Sequence, residues 1–194
     1  MSTALDHTSV SRTIDGHEVP PAGTYALDGS HTNIGFSARH LVVAKTRGRF
    51  ASFRGEVVVG EDPFDSHIDV EIDVASVDSR DDKRDEHLRS ADFFDAEAFP
   101  TITYHGHAVR PAAQGKYTVD GELTVRGVTR PVELTVEFHG AVSDPWGGTR
   151  AGFSASAEVN REDFGLTWNQ ALEGGGVLVG KTVNLEIEAE LILA

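Results

Sequence analysis

The sequence predicts an all-β fold: an antiparallel barrel of about eight strands, with one short helix and an aromatic loop at one end. Three observations carry this. Apolar and polar residues alternate with period two over most of the chain after residue 23, Gly/Pro/Asp turn signals separate the alternating runs, and no helical period is interleaved with them. The last point argues against βαβ units and a parallel sheet. Several runs span roughly 10–15 residues, beyond the usual ~5–6, and long twisting strands favour a closed barrel over a flat sandwich because closure removes the edges.

In chain order, residues 1–22 read as a polar N-terminal arm punctuated by Pro20 and Pro21, and 23–194 as the barrel domain. The arm has no apolar stretch of the kind a secretory signal needs, so a cytoplasmic location is expected. Strands are expected at residues 33–38 and 47–60. From His67 to Val77, Ile68, Val70, Ile72 and Val74 alternate with Asp69, Glu71 and Asp73. The run Asp82–Arg89 is charge-dense and begins with acids, as a helix N-terminus favours, so a short helix ending near Ser90–Phe93 follows. Phe93, Phe94 and Phe99 make the next connection unusually aromatic. Strands follow at 101–109, 117–125, 132–138, 149–160 and 179–193. The turns between strands are read at Glu61-Asp62-Pro63, Pro111 to Gly115, Gly127, Asp144 to Gly148 and Gly174-Gly175-Gly176.

Composition narrows the function. Among 194 residues, 17 Lys+Arg face 31 Asp+Glu, a formal net charge of −14, which opposes sequence-independent binding of nucleic acid or a polybasic grip on anionic lipid. No run approaches the ~18 apolar residues of a transmembrane helix. With no cysteine, thiolate catalysis and Cys-ligated metal are excluded. The inferred inner face is almost purely apolar, and an eight-stranded barrel is either filled by its own side chains or wide enough for one small ligand. Periodicity reports which side is dry, not whether it is full. Ala155, Ala157 and Ala189 on the late strands would leave room beside the large aromatics.

One charge feature stands out. Between Asp28 and Glu56 there is no acid, yet Arg39, Lys45, Arg47, Arg49 and Arg54 fall there. If one register runs back from Glu56, Phe53 points inward and so does Arg49, whose guanidinium would bind a phosphate or a quinone edge bidentately. A bulge at Gly48 or Gly55 would reverse that parity and make the strip an outward, solvated one.

Enzyme chemistry has little to work with. His105 and His107 share a strand face at i, i+2 but alternate with inward Tyr104, which places them outside. No Gly-x-Ser-x-Gly elbow occurs, and the paired acids have no apolar setting except beside Phe93–Phe94. No catalytic residue, metal ligand or required cofactor is assigned. A metal-dependent enzyme and a filled barrel acting as a stress-response or interaction module are the competing readings.

Several motifs then match in order from about Gly23 to the C-terminus. Leu27-Asp28-Gly29-Ser30-His31-Thr32 with Gly35-Phe36-Ser37 and His40-Leu41 comes first, followed by Arg47-Gly48-Arg49-Phe50. Arg84 through Asp95, Phe99-Pro100-Thr101-Ile102, Gly121 through Val132 and Asn160 through Gly165 complete the set. Together they resemble the YceI-like family. The resemblance implies a lipocalin-like eight-stranded barrel that binds a polyisoprenoid (a quinone or isoprenyl phosphate) or another long amphiphile, and it brings no catalytic residues. It makes Phe36, Phe53, Ile72, Tyr104, Leu123, Phe153 and Leu185 wall candidates, and Phe93, Phe94 and Phe99 an apolar lid with Trp168 packed beside it. Arg49 is the headgroup candidate. The Arg84–Asp92 run is read as fixing the helix by ion pairs and caps. A homodimer through a strand edge or the N-terminal arm is compatible with the resemblance. Two departures are the polar arm, where many relatives carry a secretion leader, and Thr32 where the family usually has Ser.

Overall fold

The alternating runs become strands that close on one another, with two departures: 47–60 is split, and 67–77 is strand only to Asp73, a 3-10 turn taking Val74–Ser76 because the Asp73 carboxylate accepts from the Ala75 N–H. The computed structural model describes residues 9–41, 43–172 and 176–194. A small hairpin, β1 (Arg12–Ile14) with β2 (His17–Val19), precedes the barrel. The barrel strands are β3 (Gly23–Leu27), β4 (Asn33–His40), β5 (Ala44–Phe50), β6 (Phe53–Val59), β7 (His67–Asp73), β9 (Thr101–Pro111), β10 (Lys116–Val125), β11 (Val128–Ser143), β12 (Thr149–Asn160) and β13 (Val179–Leu193). A short β8 (Val77–Asp78) pairs with β5, and helix α1 (Asp82–Arg89) follows it. Every named pairing is antiparallel, and β12–β13 closes the sheet into a barrel. β3 with β4, and β5 with β6, each act as one bent stave, which with the six continuous strands gives eight.

The bends have local causes. Between β3 and β4 the backbone leaves β13 after Leu27 and rejoins it at Asn33. The Thr32 hydroxyl spans the gap, donating to the Glu190 carbonyl at 3.3 Å and accepting from the Glu190 N–H at 3.1 Å. The expected single strand over 47–60 is split by Ala51 and Ser52, both exposed. Their backbone turns to other partners: the Ala51 N–H donates to Ser76 and the Asp73 N–H to Ser52. That two-residue corner resets the alternation, so Phe50 and Phe53 both face inward.

Helix α1 falls where its acids and caps predict. The Asp81 carboxylate accepts from the Arg84 N–H at 3.1 Å, and Asp82 and Asp85 sit in the positive first turn. The aromatic connection and the Arg161–Phe164 turn lie at the same end of the barrel as this helix.

The N-terminal segment carries the small hairpin of β1 and β2. Its described part folds against the opposite end of the barrel. The two-residue loop Asp15-Gly16 has φ of 50° and 81°, both left-handed, as a tight hairpin requires. Met1 to Thr8 and the Gly174-Gly175 part of the glycine turn lie outside the described residues. Among the described residues no helix is long and apolar enough to cross a membrane.

Candidate functional site

The barrel is hollow over most of its length. A cavity of about 480 Å³ runs from Val19, Pro20 and Tyr117 at the hairpin end to Arg39, His40 and Leu178 at the β4–β5 turn. That volume lies within the range of ligand pockets. Alternation explains the lining: inward residues of β4, β7, β10, β11 and β13 supply Ile34, Val70, Val119, Leu134 and Ile187. Many of these are only half-buried because they face empty space rather than each other. Among the described residues no aspartate or glutamate lines the cavity, although acids outnumber cations almost two to one in the chain. Its charged and titratable lining consists of Arg39, His40, Arg84, His87, Arg161 and two tyrosines.

Aromatic rings organise the helix end. Phe36, Phe50 and Phe94 form a triangle with centroid separations of 5.5, 5.7 and 6.4 Å. Trp168 packs edge-on against His87 at 4.6 Å and beside Phe93 at 5.3 Å. Gly48 is what lets Phe36 lie flat on β5, since a Cβ there would come within 2.9 Å of Cε1 of the ring. In mid-barrel the buried Tyr104 hydroxyl is shared between the Val119 and Val132 carbonyls, both at 3.1 Å. Burial pushes its phenol far above the ordinary value, so it stays a neutral donor.

Two polar clamps hold the helix end in shape. Arg161 is 4% exposed and donates to the Gly180 carbonyl at 2.9 Å, to Trp168 at 3.0 Å and to Leu166. Its desolvation lowers its pKa, and its fork ties the Trp168 segment to the start of β13. Buried Asp85 accepts from the Ser79 N–H at 2.8 Å and its hydroxyl at 2.5 Å, while Arg84 Nε donates to that same hydroxyl at 2.7 Å. The charged run therefore fixes the helix, as expected, and it also presents Arg84, His87 and Leu88 to the cavity.

Of the anticipated wall and lid, Phe36, Ile72, Tyr104, Leu123, Phe153 and Leu185 line the cavity, as do Phe93, Phe94 and Trp168. Three residues do not. Arg49 points outward and its Nε pairs with Asp78 at 3.1 Å, with its side chain 58% exposed, because the Ala51-Ser52 corner breaks the register that would have carried it inside. Phe53 faces inward but packs into the core around Ile72 without reaching the void. Phe99 packs beneath the β10–β11 turn, where a Cβ on Gly127 would come within 2.8 Å of its ring. Conversely, the reading of the chain missed Phe50, whose inward face needed the corner, and Val19. A signal for Val19 exists: Asp15-Gly16 between short alternating segments marks a hairpin.

The histidine pair considered for metal binding, His105 and His107, is not in the cavity lining. His105 is exposed and bonds Asp69 across the strands at 2.6 Å. Among the described residues one trio with metal-ligating side chains converges, Asp28, His31 and Glu190, on the outer wall at the β3–β4 bend. Arg150 already occupies that spot, 2.8 Å from Asp28 and in contact with Glu190, and it also bonds Asp144 at 3.1 Å. The His31 hydrogen bond, then Arg150, holds the Asp28 carboxyl far below its usual range. The cluster is a structural ion network with a cation built in.

A YceI-like domain model matches residues 25–191. The protein belongs to the YceI-like family. Its relatives include a UPF0312 protein of Vibrio cholerae, 40% identical over 150 residues that make up 75% of this chain and 78% of the relative. A UPF0312 protein of Photorhabdus laumondii is 40% identical over 146 residues, 74% of this chain and 76% of the relative. Among solved structures, Burkholderia cenocepacia BcnA superposes with a TM-score of 0.74 at 22% identity, covering 84% of this chain and 98% of its own. A polyisoprenoid binding domain from Saccharophagus degradans does so at 0.64 and 16% identity, over 88% and 98%. At these identities the two structures bear on the fold alone. The YceI-like barrel of this chain is thus the expected one.

Proposed function

We propose that the protein binds a long-chain amphiphile, a polyisoprenoid, in the barrel cavity without transforming it, and that it stores or carries that ligand. The observation that carries this is the continuous apolar cavity of about 480 Å³, with no acid in its lining among the described residues. Each methylene moved from water into it contributes about 0.8 kcal/mol before ordering costs. A polyisoprenoid is the ligand class named for the Saccharophagus degradans domain that shares this fold. The polar head of a quinone or isoprenyl phosphate would lie at the helix end, where Arg39, His40, Arg84 and His87 border the cavity and donors meet an acceptor head. Arg49 has no part in it. The reading requires no cofactor, and among the described residues the lining offers no carboxylate base or assembled nucleophile for catalysis.

Native mass spectrometry of the purified protein, followed by organic extraction, tests this directly. A co-purified prenyl lipid, or saturable uptake of a fluorescent prenyl probe, is the expected result. Preparations that repeatedly extract clean and bind no probe would remove the proposal.

A further inference from the structure

The cavity ends on the chain's own N-terminal hairpin, and we infer that this hairpin is the stop that sets the length of hydrocarbon the barrel accepts. The inference rests on the binding reading above and adds the size class of the ligand.

Val19 is 2% exposed and, with Pro20, forms the far wall of the cavity. The hairpin is fastened by bonds to several parts of the barrel. Arg12 reaches from β1 to the Gly60 carbonyl at 3.0 Å and the Glu61 carboxylate at 3.3 Å, while its Nε holds Pro20 at 3.0 Å. The Tyr117 hydroxyl donates to Glu18 and the Tyr25 hydroxyl to Pro21, each at 2.9 Å. Val10 N–H donates to Ala141 at 3.0 Å, and Ala141 N–H to Ser11 Oγ at 3.1 Å. These contacts place a fixed apolar face across the axis of the barrel. The hairpin lies before residue 25, upstream of the stretch matched by the family.

The cavity has a definite capacity. A dry apolar cavity of about 150 Å³ holds one benzene, so 480 Å³ holds roughly three such rings, or about 18 carbons. A farnesyl or geranylgeranyl chain fits that volume. A chain of eight or nine isoprene units does not, unless the hairpin moves or the excess protrudes at the helix end.

The test uses the full-length, delipidated protein titrated with farnesol, geranylgeraniol and the nine-isoprene alcohol solanesol, with n-alkanols of graded length in parallel. Binding is read by native mass spectrometry and by the fluorescence of Trp168. The unaltered protein should bind the two shorter prenols and take solanesol about tenfold more weakly or worse. Val19→Phe should weaken geranylgeraniol about tenfold relative to farnesol. Arg12→Ala, a change outside the cavity, should loosen the hairpin and raise solanesol binding relative to farnesol. An unchanged length profile in both variants, with farnesol still bound, overturns the inference. Equal affinity of the unaltered protein for farnesol and solanesol overturns it too. If no prenol and no alkanol binds the unaltered protein, the binding function itself fails and the stop falls with it.

Discussion

Two stretches of the barrel interior share one sequence pattern and differ in what fills them. Near the hairpin end, Tyr25, Ala141, Ala151 and Leu191 are all at most 2% exposed and meet in a packed cluster with Val59. Toward the helix end, Ile34, Phe36, Ala155, Leu185 and Ile187 face the same way from the same kind of strands, yet they line a void. Leu185 and Leu191 lie six residues apart on β13, and Ala151 and Ala155 four apart on β12. Both leucines reach the cavity, but Leu191 is 2% exposed within the packed cluster while Leu185 is only half-buried; of the alanines, Ala151 sits in the cluster and Ala155 on the cavity wall. A small residue therefore does not by itself make a hollow: Ala141 and Ala151 cluster with the fully buried Tyr25 ring, whereas Ala155 lines the cavity.

The sharpest way to break this contrast is on β13. Leu191→Ala should cost about 3 kcal/mol in urea unfolding, because it opens a hole in packed core. Leu185→Ala should cost about 1 kcal/mol, because that side chain already lacks partners on one side. Equal losses would mean the void is filled in solution. The next largest effect is the reverse experiment on β12. Ala151→Leu should destabilise by about 1–3 kcal/mol through overpacking, whereas Ala155→Leu should leave stability near that of the parent and reduce prenol uptake, read by thermal melting and probe binding.

A smaller effect separates wall from surface. Arg49→Glu loses an exposed pair with Asp78, so stability should change by no more than about 1 kcal/mol, and anionic and neutral prenyl ligands should be affected alike. Selective loss of the anionic ligand would put the guanidinium back at the headgroup. The smallest concerns the outer network at the bend. The His31 imidazole is held above its usual pKa, first by the Asp28 hydrogen bond and then by Glu190. A raised folded-state pKa stabilises below the ordinary value of about 6.5 and loses that contribution as pH rises through the raised one. The melting temperature should therefore fall slightly over that window, and His31→Gln should flatten the fall.

The strands and their dry faces were legible in the chain, because a pleated strand turns every second side chain to one side whatever it packs against. The helix was legible for a similarly local reason, its caps and first-turn acids lying within one turn of sequence. Arg49 shows where local reading stops. Its side depended on whether residues 47–60 form one strand, and the corner at Ala51-Ser52 exists because Ser76 and Asp73, more than twenty residues later, take up its backbone hydrogen bonds. Phe99 fails in the same way, since its ring is claimed by the β10–β11 turn at Gly127 rather than by the cavity.

The order of residues is enough to specify an antiparallel barrel with an apolar inside, a charged outside and a capped helix at one end. That the inside is partly empty, where the void stops, and which cations border it emerge when the strands assemble. The reason is geometric. Alternation encodes the direction in which a side chain points, while the gap across a barrel depends on strand number, tilt and stagger, which all the staves set together. Val19 stands at the end of that gap because a distant hairpin is tied there by Arg12, Tyr25 and Tyr117.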